Sequence, residues 1–169
     1  MKKTRKTAIF LILLTLLSVA CSKTEKEVRP IVAVTTFPLY DITKNIAGGS
    51  VKIVNILPFG VEPHDYEPTP KLIASIEKSA LVLYSGAGLE PWTAGFVFKN
   101  RAINMSKYVS LQTLHKTTAI DPHYWLNFQN MKKVTEIITK ELITVSPKNK
   151  TLYLKNKENY LLMLENLDG

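Results

Sequence analysis

The sequence predicts an α/β fold in which a parallel sheet of about four strands is flanked by helices. Short β-branched or apolar runs at 31–34, 51–57, 80–84 and 102–105 are the candidate strands. Segments with helical spacing of apolar residues lie between the first three strands and after the fourth. Alternation of strands with helices is typical of right-handed βαβ units, which build a parallel sheet covered on both faces.

The first two helices are marked by glycine and proline. Residues 40–47 follow the first strand and stop at Gly48 and Gly49, which favour the end of a helix. Residues 70–79 begin with a proline, whose fixed φ suits the first helical turn, and carry apolar residues at helical spacing. Each segment is therefore predicted to be a helix that connects two strands.

Two further helices are predicted after the fourth strand. Apolar residues within 131–145 fall on one helical face. Ser146 and Pro147 then supply an N-cap and a first helical position for a last helix, which runs toward residue 167. The apolar residues of this helix crowd into 160–167, and the chain stops at Gly169 as if interrupted. We expect 160–167 to fray or to associate where no further part of the protein packs on this apolar end.

The amino terminus has the pattern of a targeting signal. Basic residues within positions 1–6 precede an uncharged apolar run at 8–17, and small residues then lead to Cys21. The run is short for a membrane-spanning helix, which needs about 20 apolar residues. We therefore exclude this segment from the fold.

The residues that lead into Cys21 resemble a bacterial lipoprotein signal, although Ser18 stands where that pattern usually has leucine. On this resemblance, 1–20 is a lipoprotein signal peptide, Cys21 is the lipidation site and 21–30 is a tether. The alternative is a secretory signal beside a chance thiol. Lipidation places the protein at the outer face of a membrane, in the periplasm or on the cell surface.

Composition argues against several classes of protein. The formal net charge is +8, but subtracting the four basic residues of the signal from 22 leaves 18 basic against 14 acidic residues, or +4. No arginine-rich or aromatic-basic constellation indicates nucleic acid binding. One cysteine cannot form an internal disulfide. About 149 residues remain after the signal, which is enough for one compact domain but not comfortably enough for two.

Two histidines are candidate metal ligands because each lies in a proline-containing loop. His64 follows the second strand, and His123 lies 59 residues further on. Imidazole is the commonest zinc ligand and also serves manganese, and the carboxyl ends of parallel strands gather loops at one edge. By composition alone, such a histidine is more often an exposed or hydrogen-bonded loop residue, and this spacing matches no zinc finger or His-Glu-x-x-His helix.

Four phrases of the sequence occur in the order expected of one protein family. They are TFPLYD at 36–41, PHDYEPTP at 63–70, GAGLEPW at 86–92 and DPHYWL at 121–126. With them the chain resembles the metal-binding components of zinc and manganese ABC importers. The resemblance implies two α/β lobes joined by one long, rigid helix, with the ion held between the lobes by four protein ligands, two from each.

The resemblance makes His64 and His123 the metal ligands, zinc or manganese the cargo and an ABC permease the partner. Residues 31–145 correspond to the amino-terminal metal-binding lobe, and 146–169 correspond to the start of the linking helix. The second lobe, which supplies the third and fourth ligands in relatives, has no counterpart in this sequence. Two imidazoles would leave the coordination shell half open to water.

Other polar residues are weaker candidates. Glu67 or Asp121 could hold the second ring nitrogen of a ligand histidine and fix its tautomer. His115 lies eight residues before His123 and is more simply interpreted as a solvated loop residue. Asn127 stands where relatives often carry an acidic or small residue.

The sequence therefore predicts a lipid-anchored, extracytoplasmic protein that captures zinc or manganese for an ABC permease and is not an enzyme, since it has no nucleophile–base pair and no phosphate loop. Three alternatives stay open. The chain could be a truncated or decayed homologue without useful metal affinity, or a surface adhesin, and two copies could complete a four-histidine shell.

Overall fold

A four-stranded parallel sheet forms the centre of the protein, for which the computed structural model describes residues 28–168. The strands are β1 (Ile31–Val34), β2 (Lys52–Asn55), β3 (Leu81–Tyr84) and β4 (Arg101–Asn104). All neighbours are parallel, in the order β2-β1-β3-β4. The predicted fold class is confirmed. All four strands therefore end at one edge, which we call the carboxyl edge, and begin at the opposite amino edge.

Four α-helices flank the sheet. They are α1 (Phe37–Ala47), α2 (Pro70–Glu77), α3 (Phe128–Val145) and α4 (Lys150–Asp168). The first helix begins at Phe37 rather than at residue 40, since Pro38 fits the first helical turn. It stops where predicted, because Gly48 adopts φ 54° and donates its N–H to Lys44 O.

The two faces of the sheet support two apolar clusters. Val32 and Val34 point to the face covered by α1, α3 and α4, where the larger cluster lies. Ala33 and Val82 alternate with them and point to the other face, against α2 and the aromatic side chains of 92–98. Both faces are thus buried, as is usual for a parallel sheet.

The start of the last helix corrects one prediction. Pro147–Asn149 form a 3₁₀ turn, and α4 begins only at Lys150. Ser146 does not cap a backbone N–H; its hydroxyl accepts a hydrogen bond from Asn149 Nδ2 at 2.8 Å instead. The side chain of Asn149 therefore occupies Ser146 Oγ, the acceptor that a helix starting at Pro147 would have used as its cap.

Helix α4 runs antiparallel to α1, from the amino edge to the carboxyl edge. Its polar contacts with α1 and the turn that follows α1 are Tyr153 Oη with Ser50 Oγ at 2.7 Å, Asn156 Nδ2 with Ile46 O at 3.0 Å, and Tyr160 Oη with Asp41 Oδ2 at 2.9 Å. Tyr160 and Leu164 are buried, whereas Leu162 and Leu167 are 59% and 77% exposed. Part of the apolar end is thus covered by the domain itself, and fraying or association of 160–167 stays a prediction.

A short antiparallel hairpin was not predicted. Strands β5 (Gln112–Thr113) and β6 (Ile120–Asp121) pair over two residues each, around a turn in which Lys116 has φ 60°. Strands this short leave no alternating pattern in a sequence. The hairpin matters because it leads directly into the loop that carries His123.

The predicted signal peptide and lipidation at Cys21 lie outside the described residues. Between residues 28 and 168, no helix combines the length and apolar character needed to cross a membrane. The boundaries proposed for the tether, lobe and linking helix also stay predictions.

Candidate metal centre

His64 lies at the carboxyl edge, in the loop that joins β2 to α2. Its side chain is exposed. The backbone N–H of His64 donates to Glu62 Oε1 at 3.3 Å, and Tyr66 N–H donates to Pro63 O at 3.4 Å. Both contacts are long and local, so the ring of His64 is positioned mainly by the proline-restricted backbone.

His123 follows β6 at the same edge and is held by Asp121. One carboxylate oxygen of Asp121 accepts the backbone N–H of His123 at 2.9 Å and contacts its ring Nδ1 at 2.7 Å. These two bonds, the backbone one above all, hold the pKa of Asp121 below its usual value. A carboxylate at Nδ1 favours the tautomer that carries its proton there, which leaves Nε2 free to bind a metal.

The backbone beside His123 is anchored by Asn130 on α3. Its Nδ2 donates to Tyr124 O at 3.1 Å and to Ser110 O at 2.9 Å, and its Oδ1 accepts from Ser110 N–H at 2.9 Å. Asn130 and Tyr124 are each only 5% exposed. Asn127, the departure from the family pattern, accepts from Asn130 N–H at 3.1 Å and so caps α3.

The two candidate ligands meet although 59 residues separate them. The ring centroids of His64 and His123 are 6.2 Å apart, with the planes inclined at 69°. Around a tetrahedral zinc with Zn–N distances of about 2.0–2.1 Å, two imidazole centroids would lie roughly 5 Å apart. A closure of about 1 Å would therefore let both rings reach one ion.

The remaining candidates do not complete a ligand shell. Across residues 28–168, no group of three or more His, Cys, Asp or Glu side chains is arranged to hold a metal ion. His115 is exposed in the β5–β6 turn, and Glu67 is exposed in the loop of His64. Of the two carboxylates considered as partners of a ligand ring, Asp121 contacts His123.

A buried carboxylate supports the carboxyl edge beneath the loops. Glu90 is 4% exposed and accepts hydrogen bonds from Thr35 Oγ1 at 2.5 Å, Ser85 N–H at 2.8 Å and Gly86 N–H at 2.9 Å. Burial raises the pKa of Glu90, although these bonds oppose the shift. Glu90 therefore ties the end of β1 to the end of β3. Sequence reasoning missed this role, although Glu90 lies within the family phrase at 86–92.

An apolar cavity of about 660 Å³ lies beside the histidine pair. Its wall includes Phe37, Phe59, Pro63, Trp125 and Tyr160. The ring of Trp125 also contacts that of His123, with centroids 5.2 Å apart. One side of the candidate site is thus apolar and open.

The chain matches the family described as "Zinc-uptake complex component A periplasmic" over residues 32–169. It is 31% identical to the manganese ABC transporter substrate-binding lipoprotein PsaA of Streptococcus anginosus, with 96% of this chain and 58% of that protein covered. It is 32% identical to the manganese-binding lipoprotein MntA of Halalkalibacterium halodurans, covering 80% of this chain and 46% of that protein. The chain spans about half the length of these curated relatives.

Solved structures show the same similarity. The metal-dependent lipoprotein YcdH of Bacillus subtilis superposes with a TM-score of 0.73 at 33% identity, covering 83% of this chain and 53% of that one. The Zn(II)-bound ZnuA-like domain of AdcA from Streptococcus pneumoniae gives a TM-score of 0.72 at 28% identity, with 83% and 53% covered. The family predicted from the four phrases is confirmed.

Proposed function

Since this chain belongs to the family of periplasmic zinc-uptake components, whose members are substrate-binding proteins of transport, we propose that it captures a divalent transition metal outside the cytoplasm for an ABC permease. His64 and His123 would be the protein ligands that this chain contributes. The observation that carries the proposal is the convergence of their rings to 6.2 Å from two separate loops at the carboxyl edge. Ligands in open α/β sheets bind at this edge.

Asp121 would prepare one of the two ligands. Its contact with Nδ1 of His123 fixes the ring orientation and raises the basicity of the other nitrogen. Glu67, which shares the loop of His64, is the second carboxylate that we propose near the ion. Capture requires no covalent chemistry, and we propose no enzymatic role.

The cargo would be zinc or manganese. Similar proteins are named for manganese, for zinc and, in Streptococcus pyogenes MtsA, for iron. Two nitrogen ligands favour zinc over manganese, which prefers oxygen. The shell is half filled by this pair, so water or ligands from a further polypeptide segment would occupy the other positions and set the selectivity.

Charge at the carboxyl edge supports cation capture. Four carboxylates flank the candidate ligands: Glu62, Asp65 and Glu67 share the loop of His64, and Asp121 contacts His123. Acidic side chains around an exposed site raise the local concentration of divalent cations and increase the rate of encounter.

Attachment through lipid at Cys21 would keep this site near the permease. Relatives named as lipoproteins support such an anchor. The polar segment 22–30 would then be a tether between the membrane and β1, which places the domain at the extracytoplasmic face.

A competition titration with zinc and with manganese tests the proposal. We expect His64→Ala and His123→Ala each to lower zinc affinity by more than about 100-fold, since a lost ligand should cost more than the 10–100-fold typical of a residue that only orients one. His115→Ala is the matched control, because it removes an exposed histidine from the same edge.

The two outcomes separate the alternatives. Loss of zinc affinity in both His64→Ala and His123→Ala, with unchanged affinity in His115→Ala, supports capture by this pair. Equal affinity in all four proteins would refute the role of the pair, and equally weak binding would favour a folded homologue without useful metal affinity.

A further inference from the structure

The amino edge of the sheet is basic, in contrast to the carboxyl edge. A cation stands at or just before the start of each strand. These cations are Arg29 at β1, Lys52 at β2, Lys78 at β3, and Lys99 with Arg101 at β4. Because all four strands are parallel, the five side chains share one edge.

The turn between α3 and α4 adds two more cations to the amino edge. Arg101 at the start of β4 forms a two-pronged ion pair with Glu141 near the end of α3, with Nη2 to Oε1 at 2.9 Å. Tyr153, one turn into α4, contacts Ser50 just before β2. These contacts place the intervening turn, with its Lys148 and Lys150, at the amino edge.

The positive charge of this edge exceeds what the fold neutralises. Lys148 has a contact of its own, so it is left out of the balance. The six other cations face two carboxylates, Glu141 on Arg101 and Glu77, which pairs with Lys99 at 2.7 Å. The carboxyl ends of α1, α2 and α3 also lie here and each contributes roughly half a negative charge, while the amino terminus of α4 contributes roughly half a positive one. An excess of about three positive charges is left.

The tether reaches the domain at this same edge. Arg29 immediately precedes Pro30 and β1, and donates to Gly49 O at 3.0 Å, so the chain enters beside the start of β2. Nine residues, 22–30, lie between Cys21 and β1, and a chain of that length spans at most about 30 Å. A lipid on Cys21 would therefore hold the amino edge close to the bilayer.

We propose that the amino edge is a membrane-facing surface that binds anionic lipid headgroups and so turns the histidine pair away from the bilayer. This inference rests on the lipid anchor of the proposed function. Anionic headgroups attract basic side chains close to the surface, and the attraction fades within a Debye length of about 8–10 Å. Since the tether supplies the proximity, a modest excess of cations suffices to fix the orientation.

The test measures orientation in the processed, lipidated chain. Cys21 is the only native cysteine and is consumed by the lipid, so one introduced cysteine gives a unique fluorophore site. Ala80→Cys marks the amino edge and Phe59→Cys marks the carboxyl edge; both residues are exposed. Each protein is placed in nanodiscs of phosphatidylcholine alone or of equal parts phosphatidylcholine and phosphatidylglycerol, with a nitroxide quencher on the lipid.

We expect strong quenching of the Ala80→Cys label only in discs that contain phosphatidylglycerol, and weak quenching of the Phe59→Cys label in both. Replacing Lys52 and Lys150 by glutamine should lower the ratio of molecules with the amino edge on the bilayer to molecules with that edge released. The expected decrease is about 25-fold, at about fivefold for each cation. Lys71→Gln with Lys107→Gln is the matched control, since it removes the same charge from the carboxyl edge.

Three results would overturn the inference. They are quenching at Ala80→Cys that ignores lipid charge, an equal effect of the control pair, and failure of the chain to enter the discs. The last result refutes the anchor and everything that depends on it. A zinc titration in the same discs is independent, because loss of metal affinity with intact charge-dependent quenching would refute the proposed function and leave the membrane surface standing.

Discussion

The loops of His64 and His123 bring their rings close together, but the contacts that hold the two loops are very different. The loop of His123 is bound to α3 through Asn130, and its histidine is held by Asp121. The loop of His64 is exposed and is held by two long, local bonds, from His64 N–H to Glu62 Oε1 and from Tyr66 N–H to Pro63 O. One candidate ligand is thus already positioned, while the other is free to complete the approach of about 1 Å that binding of one ion by both rings would need.

The largest expected effect is on the anchored side. Asn130→Ala should lower the free energy of unfolding by about 3 kcal/mol, because the buried carbonyl of Tyr124 would lose its partner and two partly buried bonds to the backbone of Ser110 would be broken. Chemical denaturation measures the change. Asn45→Ala is the control, since the side chain of Asn45 makes only exposed bonds to Asp41. This substitution should lower the free energy of unfolding by less than about 0.5 kcal/mol. A loss of similar size in both variants would mean that the loop is not specially anchored.

A smaller effect is expected from the carboxylate that orients His123. Asp121→Ala should weaken zinc binding about tenfold, as is typical for a residue that fixes the tautomer of a ligand histidine. Competition titration gives the value, and Asp121→Asn should restore part of the affinity if acceptance at Nδ1 is what matters. Unchanged affinity in Asp121→Ala would show that His123 needs no orientation.

The smallest effect is expected on the loosely held side. Glu62→Ala removes one exposed, long hydrogen bond from the loop of His64 and should change zinc affinity by less than about threefold. The same titration compares it with Asp121→Ala. If Glu62→Ala lowers zinc affinity more than Asp121→Ala does, the loop of His64 is held at least as firmly as the loop of His123, and the contrast between the two loops is wrong.

Sequence reasoning recovered the parts of the fold that have local causes. The β-branched run at 31–34 and the glycine pair after α1 predicted a strand and a helix end that the structure confirms. The two-residue hairpin strands escaped prediction because they are too short to show a period. The 3₁₀ turn at Pro147–Asn149 escaped prediction because Ser146 Oγ, the expected cap, accepts a hydrogen bond from the side chain of Asn149 instead.

In the candidate site, too, contacts that are local in sequence could be predicted and contacts that depend on the assembled sheet could not. The contact of Asp121 with His123 joins residues two apart and was open to prediction. The approach of His64 to His123 depends on strand order, so only resemblance to a family indicated it. Glu90 gave no functional pattern, because its partners on β1 and β3 are assembled by the sheet.

The seam between α1 and α4 has a consequence for how the chain is made. Its three polar contacts join residues 103, 110 and 119 positions apart, so this side of the first helix is covered only after the last helix emerges. Contacts this distant in sequence form late, because chain closure must precede them. In a chain made from its amino terminus, the side of α1 that faces α4 therefore stays uncovered until residue 160 is available.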